Sequence, residues 1–207
     1  CRVADVLVLA GDLTDLGKRE EAEILAQDVK ACSIPVLAVL GNHDHESGQP
    51  EVVRQVLRDA GVMMLETRAF VVGNVGFVGT KGFAGGFGRH LLTAFGEPVI
   101  KQFVTESLNE AARLENGLRT LHTERIFVVL HYAPVRDTIA GEPLEIYPFL
   151  GSSRLAEAID RFNVSAVVHG HAHHGKYEGR TPGGVPVYNV ASQVEKPTGR
   201  TYGLIEV

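Results

Sequence analysis

Four apolar, β-branched runs in this chain stop on short polar motifs, and that repeated arrangement constrains the fold more than any other feature. They are VADVLVLAGD (residues 3–12), IPVLAVLGNHD (34–44), RIFVVLHYAP (125–134) and VSAVVHGHAH (164–173). Runs this continuously apolar read as strands buried on both faces. In open α/β sheets, ligands gather beyond the carboxyl ends of the strands. Four strands ending near Asp12, Asn42, His131 and His171 can therefore build one site from residues far apart in sequence.

The intervening segments alternate with these strands. GKREEAEILAQDVKAC places Ala22, Leu25, Ala26 and Val29 at helical spacing. Pro50 opens a second amphipathic helix with Val52, Val53, Val56 and Leu57 on one face and Gly61 as its C-cap. FVVGNVGFVG reads as a hairpin turning at Gly73-Asn74, and GTKGFAGGFGRH as a glycine-dense loop. A long helix is expected over residues 97 to 122, with Gly117 weakening its end. Ser152 or Ser153 can cap a helix running through Phe162, and GVPVYNVAS and TYGLIEV close the chain with β signals. There is no fixed-period repeat, low-complexity tract or linker, so residues 1–207 read as one domain.

Composition narrows the function classes. A chain of 207 residues can bury one substantial core, and its apolar (44%) and charged (22%) fractions are ordinary for a globular protein. No apolar run approaches the roughly 18 residues of a membrane-spanning helix. A net charge of −5 argues against nucleic acid or an anionic membrane as partner. Cys1 and Cys32 are too few for a disulfide framework, so a cytoplasmic location is expected. The oligomeric state has no signature in the sequence.

Taken singly, the motifs are ambiguous. Gly11-Asp12 fits a turn aspartate, GNHD an Asx-rich loop before a helix, and His131 a satisfied core histidine. GHAH is more specific, because histidines two apart in a turn can aim at neighbouring metal positions. Together, in the order GD, GNHD, H, GHxH and all at strand ends, they resemble the calcineurin-like metallophosphoesterases. The matching motifs extend from residue 11 to residue 173.

That resemblance implies a four-layer α/β/β/α sandwich of two mixed β-sheets flanked by helices. It implies that Asp12 bridges two metal ions, that Asn42, His131 and His171 ligate the second, and that His173 ligates the first. Oxygen and imidazole ligands without thiolate suit Mn, Fe or Zn better than Ca. Two such ions about 3.5–4 Å apart would generate a bridging hydroxide for in-line attack on phosphorus. The implied activity is hydrolysis of a phosphomonoester or phosphodiester, with a phosphorylated small molecule or other phosphoester as substrate. His43, beside a ligand without being one, is the expected proton donor to the leaving group, and Asp44 is expected to hydrogen-bond and orient it. His169, His174 and His45 are expected to be bystanders. The loops at 79–88 and 141–152 are expected to select the substrate.

The family pattern also begins with an Asp-x-His upstream of Gly-Asp, and no Asp-x-His occurs in these residues. An upstream segment carrying that first strand is the expectation. The competing reading is a non-catalytic scaffold of the same fold with an incomplete metal site.

Overall fold

A computed structural model describes residues 3–66 and 68–207, so Cys1 lies outside the described residues. The first half of the chain builds a parallel three-stranded sheet, β1-β2-β3, from β1 (Leu7–Ala10), β2 (Val36–Val39) and β3 (Met63–Met64). The crossovers are α1 (Arg19–Lys30) and α2 (Pro50–Asp59). A mixed six-stranded sheet follows, in the order β4-β5-β6-β7-β9-β8. Its strands are β4 (Phe70–Val72), β5 (Val75–Thr80), β6 (Arg125–Leu130), β7 (Ala166–His169), β8 (Glu178–Arg180) and β9 (Pro186–Asn189). Three helices belong to this half: α3 (Pro98–Arg119), the short α4 (Tyr147–Leu150) and α5 (Ser153–Ile159). No described helix is long and apolar enough to cross a membrane.

Period-two alternation along the strands sorts the side chains into three apolar layers. Val36 and Ala38 of β2 pack with Ala22, Ala26, Val53 and Leu57 of α1 and α2. Leu37 and Val39 turn the other way, onto Phe127 and Val129 of β6 and Val168 of β7. Ile126, Val128 and Leu130 of β6 then face Leu114, Leu118, Leu155 and Ile159 of α3 and α5. The result is helices, sheet, sheet, helices: the expected four layers.

Several expectations change in detail. β1 has both faces covered, Leu7 and Leu9 by helices and Val8 and Ala10 by the other sheet, yet all four residues stay half-exposed. It is the outermost described strand of its sheet, so one edge carries no partner among the described residues. α3 ends at Arg119, two residues past Gly117 and short of the expected residue 122. A Cβ on Gly117 would lie 2.5 Å from a methyl of Val78, so glycine lets the helix lie close on β5. The hairpin turns at Gly73-Asn74 as expected, with Val72 opposite Val75. TYGLIEV forms no strand. Ile205 and Val207 instead pack against the layer between the sheets, and the Val207 carbonyl accepts a bond from Arg125 at 2.9 Å.

Candidate metal centre

β1, β2, β6 and β7 all run to one edge of the sandwich, and their following residues converge there across both sheets. Two glycines make the approach possible. A Cβ on Gly41 would lie 2.1 Å from Asp12 Oδ1, and one on Gly11 would lie 2.3 Å from His131 Nδ1. Asp12 and His171 are the described non-glycine residues with positive φ, 51° and 66°. Left-handed backbone at non-glycine residues costs free energy and clusters at functional sites.

His131, buried at the end of β6, ties the sheets together. Its Nδ1–H donates to the Ala10 carbonyl of β1 at 2.9 Å, which leaves a lone pair on Nε2. That Nε2 lies 2.8 Å from Asn42 Oδ1 and 3.3 Å from Asp12 Oδ1. Burial holds the imidazole neutral, pushing its pKa down to about 3. His171 completes the cluster, and ligand atoms of Asp12, His131 and His171 lie within 4.8 Å of one another. Burial also pushes His171 down, to about 4, and its Nε2 lies 3.3 Å from the Phe149 carbonyl. A proton held there leaves Nδ1 free to ligate. Neutral imidazoles, a carboxylate and an amide oxygen thus turn lone pairs toward one place, a donor set that a divalent cation satisfies.

The other expected residues divide. His173 is exposed and lies outside the group of three. His43 sits beside the group: its backbone N–H donates to Asp12 Oδ1 at 3.0 Å and its ring is 44% exposed. The ring partner differs from expectation. Asp15, rather than Asp44, holds His43 Nδ1, through its carbonyl at 2.8 Å and its carboxylate at 3.4 Å. The hydrogen bond to the Asp15 carbonyl, helped by the charges of Asp12 and Asp15, raises the His43 pKa above its ordinary value.

Asp44 is fully buried and turned the other way. It accepts from the backbone N–H groups of Leu13, Thr14 and Gly41 and from the Thr14 hydroxyl, at 2.6–3.2 Å. Burial raises its pKa against the pull of those four donors. Its work is to pin the loop after β1 to the loop after β2, which sets Asp12 beside Asn42. Asp15 was legible only as one more acid in GDLTDLG.

A second set of buried groups supports the loop after β7. His169 bonds the Thr138 hydroxyl through Nε2 at 2.7 Å, with Nδ1 on the Gly170 carbonyl, as a satisfied core histidine does. Asn189 donates to the Ala172 and Thr138 carbonyls at 2.7 and 3.2 Å. His174 is exposed, its backbone held by Glu142.

Two packed sheets with this ligand edge define a metallophosphoesterase-type fold. A model of the calcineurin-like phosphoesterase family matches residues 2–175, and the chain belongs to that family. A probable glycerophosphodiester phosphodiesterase, GpdQ, from Arcobacter nitrofigilis is 22% identical over 176 residues. That match covers 82% of this chain and 56% of the relative, so the chain spans little more than half the relative's length. One solved structure, 15% identical, shares the fold at a TM-score of 0.62 over 90% of this chain and 79% of its own. A putative 5′-nucleotidase from Staphylococcus aureus overlays at 0.47, with 18% identity, over 84% of this chain and 35% of its own.

Proposed function

We propose that this protein hydrolyses phosphate esters, phosphodiesters among them, with divalent metal ions held by Asp12, Asn42, His131 and His171. The observation that carries the reading is the His131 Nε2 lone pair, aimed at two oxygens that also lack a proton to share. Mn, Fe or Zn suits that set. His173 is assigned to the other metal position, the first, to which Asp12 would also contribute, within a single domain.

Bound ions supply Lewis acidity and a lowered pKa for an attacking water. The chain's own residues do the remaining work. Asp44 fixes the two loops, so that Asp12 and Asn42 meet His131 without reorganising. His43, gripped at Nδ1 by Asp15, keeps Nε2 free to carry a proton toward the leaving oxygen. The bond to the Asp15 carbonyl raises the His43 pKa above the ordinary histidine value, which favours the protonated ring. The name of the Arcobacter nitrofigilis relative favours a diester, and the net negative charge of the chain favours a small substrate over nucleic acid.

The test is a panel of p-nitrophenyl mono- and diesters assayed on the full-length protein. Activity is expected to vanish in chelator and return with Mn, and full turnover by metal-free protein overturns the mechanism. The exposed position of His173 favours one second reading, a scaffold with a partial metal site. Tight Mn binding with no turnover of any ester selects it.

A further inference from the structure

Among the described residues, fourteen large apolar side chains are exposed, and seven of them fall within residues 92–100 and 144–149. The two segments are neighbours in space. Gly85 bridges them, donating its N–H to the Pro148 carbonyl at 2.8 Å and accepting the Leu92 N–H at 2.9 Å. The Phe103 and Phe149 rings meet edge-on at 6.3 Å. These joined segments thus expose Leu92, Phe95, Ile100, Ile146 and Phe149, an unusual concentration of apolar side chains. Surfaces of this kind are uncommon on soluble proteins and mark binding sites.

This surface borders the metal centre at Phe149. Beneath it, ring contacts run through the core from His171 to the buried Tyr132 at 4.4 Å, to Phe83 at 5.8 Å, to Phe103 at 5.0 Å, and emerge at the exposed Phe149. Phe149 closes the circuit by offering its carbonyl to His171 Nε2. An ester whose phosphorus sits at the centre can therefore lay an apolar substituent across Phe149 onto this surface.

We infer that the substrate is an amphiphile: a phosphoester in which one alcohol carries an alkyl or acyl chain that lies on this surface. The inference rests on the proposed hydrolase reading and adds the substrate class. It gives the glycine-dense loop at 79–88 and the turn at 141–152 a common task, since Gly85 and Phe149 belong to them.

The experiment uses the full-length protein and p-nitrophenyl methyl, butyl and octyl phosphates, which share one leaving group. With Mn, kcat/KM is expected to rise on the order of tenfold from methyl to octyl. Phe95→Ser, at a side chain 85% exposed and so free of folding cost, is expected to flatten that ratio. In parallel, anilinonaphthalene sulfonate bound to metal-free protein should be displaced by octyl phosphate and spared by methyl phosphate. Equal turnover of all three esters with no displacement overturns the inference and leaves the hydrolase intact. If no ester is turned over, the hydrolase reading falls, and the displacement result alone decides whether the surface takes an alkyl phosphate. A concentration-dependent dimer in sedimentation that Phe95→Ser dissociates assigns the surface to a second copy and overturns the inference.

Discussion

Asp44 sits in the most conspicuous motif of the chain, yet its carboxylate makes no hydrogen bond to the His43 ring and instead ties two ligand-bearing loops together. Replacing it with alanine orphans three backbone N–H groups, those of Leu13, Thr14 and Gly41, along with the Thr14 hydroxyl. A buried donor left without a partner costs about 1–3 kcal/mol. The Leu13 bond is only part-buried, and removing the carboxylate also relieves the desolvation that raises its pKa, so the lower end applies. A net loss on the order of 3–5 kcal/mol is expected, a large share of the roughly 5–15 kcal/mol that holds a domain folded. Asp44→Asn is the sharper probe because its shape is unchanged. One oxygen can still serve two donors, but the new NH2 faces the others, so asparagine should recover little of what alanine loses. Urea denaturation in chelator reads the stability, and metal analysis after Mn loading reads the site. Both variants should unfold at lower urea and bind Mn more weakly. An asparagine variant within about 0.5 kcal/mol of wild type, the range of neutral surface changes, refutes the tie.

Three other outcomes are expected. Gly41→Ala should abolish tight Mn binding in calorimetry, because its Cβ would lie 2.1 Å from Asp12 Oδ1 and 2.8 Å from His131 Cε1. The pKa of His43 is raised, so its protonated form persists above the usual histidine range; kcat for a poor leaving group should fall as pH rises through that value, and His43→Ala should lack this limb while losing on the order of 10²–10⁴ in rate. His169, pushed down to about 4 by burial, stays neutral in the fold while the unfolded chain takes a proton below about 6.5. Its stabilising contribution is therefore complete above that range and lost as pH falls toward 4, by about 3 kcal/mol, which urea midpoints of wild type and His169→Gln in chelator at pH 7 and 4.5 would reveal.

The strands and the ligand edge were legible in the sequence for a physical reason. A strand buried on both faces must be apolar throughout, so its polar terminus stands out, and Asp12, Asn42, His131 and His171 all stand just past such a terminus. Helix faces were legible too, since Val53 and Leu57 are buried as their spacing requires. What sequence could not supply was the direction in which a loop side chain points. Asp44 and Asp15 are both acids near His43, and only the paths of two loops decide that the first is buried under backbone donors while the second holds the imidazole. Asn189 and Thr138 were silent for the same reason, because their partners are backbone carbonyls and a histidine brought to them by tertiary folding.

The positive φ angles link local conformation to site chemistry. Asp12 and His171 each follow a glycine at a strand end, and each adopts the left-handed backbone that a non-glycine residue avoids. A strand that simply continued would alternate its side chains up and down across the sheet. A left-handed residue breaks that alternation and turns the next side chain along the sheet edge, so that ligands from both sheets can face one point. Such strain persists only where the surroundings over-determine it. Here the Asp44 carboxylate fixes the backbone on one side, at Leu13 and Thr14, and the Asn189 amide fixes it on the other, at the Ala172 carbonyl. The two residues that never touch the metal position are therefore the ones that make the ligands converge. Weakening either should release the strained loop toward ordinary backbone and lower metal affinity together with stability.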